Sequence, residues 1–179
     1  FQQTPTTHHH DLPGSVQDAS GYTIFSSGDV GAAHAMAHKM LGEGEIELGH
    51  RLLGEWLCGR TGSGSEWVHI QFHMAIFELE LGLTQAAYAR FVEHVLPAAS
   101  KSAEALTDAP ALAWRLWLAT GSPTLFPWEP IRSTAAARLE EHDDPWVDLH
   151  NALALAGAGD LDGLDRWLAI RKHQSATEQ

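Results

Sequence analysis

Cysteine is all but missing from these 179 residues. Cys58 stands alone, so no intramolecular disulfide can form, no Cys-rich zinc module can be assembled, and nothing asks for an oxidising compartment. Positive charge is also scarce: eleven Lys and Arg face 23 Asp and Glu, a formal charge of −12 with histidine neutral. That balance excludes a general electrostatic grip on nucleic acid or on an anionic membrane surface. No run approaches the ~20 continuous apolar residues of a membrane span, and Phe1 to Gly14 lack the charged-then-apolar layout of a signal peptide. The expectation is a soluble, cytoplasmic protein with no nucleic-acid and no membrane partner.

What the sequence does have is a length suited to one domain, 44% hydrophobic residues and twelve histidines. Full protonation of the histidines would cancel the net negative charge, so solubility and association are expected to respond to pH between about 5 and 7. His8, His9 and His10 lie in a Thr-, Ser-, Gly- and Pro-rich stretch whose apolar residues keep no period. Residues 1–28 therefore read as a flexible arm and the histidine run as a solvated tract.

Over residues 29–179 the apolar residues recur at helical spacing, and the breaks fall at Gly or Pro. The domain reads as all-α, with helices at about 30–41, 45–58, 66–81, 84–99, 109–120, 129–141, 145–157 and 161–172. Asp29 is placed to cap the first helix and Ser65 the third; Asp144, followed by Pro145, caps the seventh, and Asp108, two residues before Pro110, reads as a cap of the fifth. The helices pair into hairpins that resemble one another. The stretch from Ala75, "AIFELELGLTQAAYARFVEHV", aligns with that from Ala152, "ALALAGAGDLDGLDRWLAI", with Gly82 matching Gly159, Ala87 matching Leu164 and Phe91 matching Leu168. This is the phasing of tetratricopeptide-like hairpins of about 34 residues that bury their faces by stacking. First helices starting near residues 32, 66, 109 and 145 make about four of them, an α-α superhelix.

Particular runs carry a closer likeness. His34-Ala35-Met36-Ala37-His38 with Gly49 following, then His69-Ile70-Gln71-Phe72-His73 leading into "MAIFELELG" and "FVEHVLPA", together with "LTDAPALAWRL" and "WVDLHNALALAGAGD", resemble the tetratricopeptide repeat protein 38 family. The likeness covers about residues 30–160 of a chain much shorter than usual members, as if the middle of that family's helical array stood alone. The resemblance implies an α-helical solenoid and a cytoplasmic protein; it implies no reaction. The polar positions that match are His34, His38, His69, His73, Asp108, Arg115 and His150, and function has to be argued from them.

Residues four apart on a helix lie on one face, about 6 Å apart along the axis, the spacing at which two imidazoles can share one metal ion. The chain has this spacing twice, at His34/His38 and His69/His73, on the first helices of consecutive hairpins, where four imidazoles can converge. His150 could look into the same groove, with Asp108 near its mouth. Neutral imidazole completed by a carboxylate suits Zn, Cu, Ni or Fe. Ala35 and Ile70 stand where a zinc peptidase needs Glu, so that mechanism lacks its base. Two other readings stay open. The histidines can be packing residues, each donating a ring N–H across a helix crossing. Alternatively, clustered histidines depress one another's pKa, so that His73 or His69 acts as a metal-free general base oriented by Asp108, with Arg115 holding a substrate carboxylate or phosphate.

The seven tryptophans fall mostly at apolar helix positions and read as core. Trp114, beside Arg115, is a candidate stacking wall, and Trp128, among Pro123, Pro127 and Pro130, reads as a lid or a partly exposed contact. Cys58 reads as a buried or idle thiol, and Asp160, Asp162 and Asp165 as turn and helix-start charges. Two functions stand side by side. One is a binding module whose concave, His-lined acidic groove takes a peptide, a protein segment or a small ligand, with Arg115, Trp114 and His150 as ligand contacts. The other is an enzyme that uses His34, His38, His69, His73 and His150 as a transition-metal site or as general acid and base.

Overall fold

The computed structural model describes residues 29–101, 103–122, 126–141 and 144–177, together with two short strands. The His8–His10 tract lies outside the described residues. The strands, β1 (Ser15–Gln17) and β2 (Thr23–Phe25), pair antiparallel with Val16 opposite Ile24, within the segment whose composition suggests only an arm. Everything described from residue 29 onward is helix, turn or short connection.

Eight α-helices follow among the described residues: α1 Val30–Glu43, α2 Ile46–Leu57, α3 Ser65–Glu80, α4 Thr84–Arg90, α5 Ala103–Thr120, α6 Trp128–Ala137, α7 Pro145–Gly157 and α8 Leu161–Thr177. Two caps form as the sequence predicts: Asp29 accepts from the Gly31 N–H, and Asp144 accepts from Trp146 and Val147 with Pro145 at the first helical position. Two others do not. Gly64, not Ser65, holds the N-cap position of α3 and makes no side-chain cap bond. Asp108 caps nothing, because α5 begins at Ala103 and runs through Pro110. A proline interior to a helix removes one ladder bond. Here that loss is offset by complete burial of Leu106, Ala109, Leu112, Ala113 and Leu116 along the same helix. The consequence matters for the site, since Asp108 is left with a carboxylate in mid-helix, 5% exposed.

The expected single helix from 84 to 99 is broken. After Arg90 the chain passes through a π turn, Phe91–Val95, and a 3-10 turn, Leu96–Ala98, where Pro97 supplies no N–H. Phe91 and Val95, four residues apart on one face, both reach the core, where each is fully buried.

Along the array α1 packs on α3, α3 on α5 and α5 on α7, while α2, α4 and α6 each lie against both their own hairpin partner and the next odd-numbered helix. Gly82 and Gly159 turn two of the hairpins with φ of 73° and 71°, a conformation that L side chains rarely adopt. The core has two parts. One, built from α1, α2 and α3, holds Ala37, Met40, Leu53, Ile70 and Phe77; the other, from α3 onward, holds Phe91, Leu112, Leu116, Ile131 and Leu155. α3 feeds both, through Ile70, Met74 and Phe77 on one side and Val68 and Ala75 on the other. A Cβ on Gly49 would lie 2.3 Å from Phe77, and that missing side chain is what lets α2 approach α3. Trp128, expected as a lid, is instead buried over Gly157, where a Cβ would meet its ring at 2.4 Å. Cys58 is exposed.

No helix among the described residues is long and apolar enough to cross a membrane.

Candidate metal centre

Gln71 and Glu78 of α3 accept from Arg90 of α4, and a second polar strip of α3 faces α1. His69 and His73 occupy that strip one turn apart; His34 and His38 occupy the matching strip of α1, whose other side buries Ala33, Met36, Ala37 and Met40. Small Ala33 and Ala37 bring the axes close enough for the four rings to meet. Ring centroids of His34 lie 4.8 Å from His69 and 5.1 Å from His73, and His38 lies 4.5 Å from His73.

The donor atoms converge more tightly than the rings. Nε2 of His34 and His38 are 2.8 Å apart, Nε2 of His69 and His73 are 3.1 Å apart, and one nitrogen from each of the four residues lies within 4.8 Å of every other. Four nitrogens at 2.0–2.1 Å from one ion at tetrahedral angles are about 3.3 Å apart. The separations observed bracket that edge, so the four side chains are close enough to hold a metal ion once the close pairs open by a few tenths of an ångström and the widest close by up to about 1.5 Å. The nest is graded in depth: His73 is buried, His34 and His69 are half-buried, and His38 is exposed.

Asp108 completes the arrangement from α5. Its two oxygens lie 2.9 and 3.0 Å from Nδ1 of His69. A carboxylate accepts, so Nδ1 carries the hydrogen and donates it, which leaves a lone pair on Nε2 pointing into the cluster. His73 then donates Nε2–H to it, and its own Nδ1 is buried with no partner. The cost of that bare nitrogen, about 1–3 kcal/mol, is not recovered by any protein group. Burial first, and then the neighbouring His69, His38 and His34, push the His73 pKa from the ordinary 6.5 down to about 3. His34 is lowered too, by burial and then by His69 and His38, against the opposing pull of Asp108 and Glu66. Rings held neutral are rings in the state that binds metal.

Beside the cluster is a cavity of about 440 Å³, within the range of small-molecule sites. It opens where α1, α3 and α7 begin, and its walls include His34, Glu66, His69, Asp108, Trp146 and Val147. Two of the four histidines thus face both the shared centre and the cavity.

The remaining sequence candidates are placed elsewhere. Trp114 stacks on Trp117 with centroids 4.5 Å apart and donates its indole N–H to the Leu153 carbonyl, within the core. Arg115 donates to the Ala111 carbonyl and lies 5.9 Å from the Phe72 ring centroid; neither it nor Trp114 lines the cavity. His150 is buried, donates Nδ1–H to the Trp146 carbonyl at 2.7 Å and packs its ring on that indole. It therefore underlies the cavity wall without joining the four-histidine cluster. Trp146, read as core from periodicity, is 63% exposed. Its only sequence signal is its position directly after an Asp-Pro cap, where a side chain projects past the helix end. Glu66, three residues before His69, shares its face of α3, an i, i+3 spacing readable in the sequence.

No protein-family model matches the chain, and no solved structure is significantly similar to it. Among curated proteins, the human ciliated left-right organizer ZP-N domains-containing protein is 35% identical over 80 residues, which is 38% of this chain and 10% of that protein. The chain thus spans about a tenth of the curated relative it matches.

Proposed function

We propose that this domain is a tetratricopeptide-like α-α superhelix that binds a divalent transition-metal ion through His34, His38, His69 and His73 and offers it to a small ligand in the adjoining cavity. The ordered packing of α1 on α3, α3 on α5 and α5 on α7 supports the superhelix. One observation carries the metal: four imidazole nitrogens from two helices within 4.8 Å of one another, one of the rings oriented by a buried carboxylate. A packing seam would give each ring its own carbonyl or carboxylate. Of these four only His69 has one, and the other donor atoms turn inward on each other. Imidazole donors favour Zn, Cu, Ni or Fe. The size of the cavity supports a small molecule over a peptide segment as the groove's occupant.

Elemental analysis of the full chain after dialysis against Zn(II), followed by calorimetric titration of the metal-free protein, tests this. Near-stoichiometric metal is expected, with at least about a tenfold loss of affinity in His38→Ala, an exposed position whose change spares the core. A folded wild-type chain that takes up no metal at micromolar Zn(II), Cu(II), Ni(II) or Fe(II) overturns the reading, as does a His38→Ala/His69→Ala chain that keeps full affinity.

A further inference from the structure

The cavity has a composition that selects its occupant. Glu66 and Asp108 line it, as does the capping Asp144, and among its described lining residues there is no Lys or Arg. A free anion would meet three carboxylates and no basic side chain. A cation would meet a divalent ion on the wall formed by His34 and His69. With three carboxylates offsetting the ion's pull on an anion and the ion itself opposing a cation, charge favours a neutral occupant.

The wall contributed by α7 supplies the shape. Trp146 leaves 63% of its surface exposed at the cavity's edge, yet it is not loose. His150 packs against the indole with ring centroids 4.5 Å apart and ties down the Trp146 backbone carbonyl, and the Trp146 backbone N–H donates to the Asp144 carboxylate at 2.8 Å. A large aromatic surface fixed from below and open above is a stacking platform, because little conformational entropy is lost when a flat ring lands on it. The same cavity is lined by the two imidazoles that border the shared centre. An ion that accepts imidazole nitrogens accepts the same donor from a ligand, here as a fifth donor that expands the four-imidazole shell.

Building on the metal reading above, we infer that the cavity binds a small, neutral, flat heteroaromatic molecule that presents a ring nitrogen to the ion while its ring lies against Trp146. Platform and donor wall act together: the ion fixes one end of the ligand, and the indole selects for planarity over the rest.

Benzimidazole is the probe, with imidazole as the same donor lacking the second ring and benzoate as a flat anion. The full chain loaded with Co(II) is titrated with each at neutral pH, reading the visible Co(II) bands and tryptophan fluorescence. Benzimidazole is expected to shift the bands and to bind about tenfold more tightly than imidazole. Benzoate should shift them weakly or not at all. Trp146→Ala should keep its Co(II) stoichiometry and lose the preference for benzimidazole. Equal affinity for benzimidazole and imidazole, a preference that survives Trp146→Ala, or benzoate binding as tight as benzimidazole refutes this inference while leaving the metal reading intact. A chain that takes up neither Co(II) nor Zn(II), Cu(II), Ni(II) or Fe(II) refutes both.

Discussion

Acid should weaken the metal-free protein through one side chain. His73 is neutral in the fold with its pKa held down at about 3, against an ordinary 6.5. The native state therefore binds fewer protons than the unfolded chain everywhere between those values, and stability falls as pH drops through that window. At pH 7 the unfolded-state proton on His73 is worth only about 0.2 kcal/mol, whereas at pH 5 it is worth about 2 kcal/mol. The lowering of His34 adds in the same direction. With a urea slope of roughly 2 kcal/mol/M for a chain of this size, the midpoint in EDTA should fall by about 1 M between pH 7 and pH 5. The control is His73→Leu, which keeps an apolar-sized side chain beside the His69 and Phe72 rings and removes the titrating group. Its midpoint at pH 7 is free to differ; what matters is that most of the pH dependence disappears. A wild-type midpoint that stays level between the two pH values refutes the reasoning, and so does a His73→Leu chain that keeps the full drop.

Asp108→Asn removes the carboxylate that orients His69, and metal affinity by calorimetry should fall about 10- to 100-fold with the ligand set intact. On one helix, two glycines should respond with opposite sign. Gly49→Ala forces a Cβ to 2.3 Å from Phe77 and 2.9 Å from Met40 and should destabilise by about 1–3 kcal/mol despite the better helix propensity, whereas Gly54→Ala, whose nearest neighbour would be Met74 at 3.5 Å, should stabilise by up to about 1 kcal/mol. Equal urea midpoints for the two variants would contradict this. Asn151 is fully buried with neither amide atom bonded, so Asn151→Leu should be neutral or raise the urea midpoint; a clear loss of stability would mean that the amide has a partner in solution.

Much of the helical layout was legible because it rests on local signals. Apolar residues at helical spacing, the Asp29 and Asp144 caps and the glycine turns placed α1, α2, α3 and α7 to within a few residues, and the two i, i+4 histidine pairs followed from the same spacing. Pro110 misled for a physical reason. Proline favours a helix's first turn, but here dense burial on both sides of it carried the helix through, and the carboxylate read as a cap became the partner of a histidine 39 residues away. The role of Trp146 was invisible because periodicity assigns a face and cannot see a helix end. The cavity was invisible because it is bounded by the starts of three helices that only packing brings together.

Because α3 feeds both parts of the core, the α1–α2 hairpin is attached to the rest of the domain chiefly through that one helix. Each part can then open with its own free energy, and the hairpin has the smaller apolar surface holding it. The histidine nest lies across that seam, two rings on either side. A bound ion would act as a clutch between two folding units: engaged, it makes the hairpin open only with the whole domain, and released, it lets the hairpin swing away and scatter its own ligands. Capture of the ion and cooperativity of the fold would then rise and fall together, and hydrogen exchange along α1 would report how fully the nest is occupied.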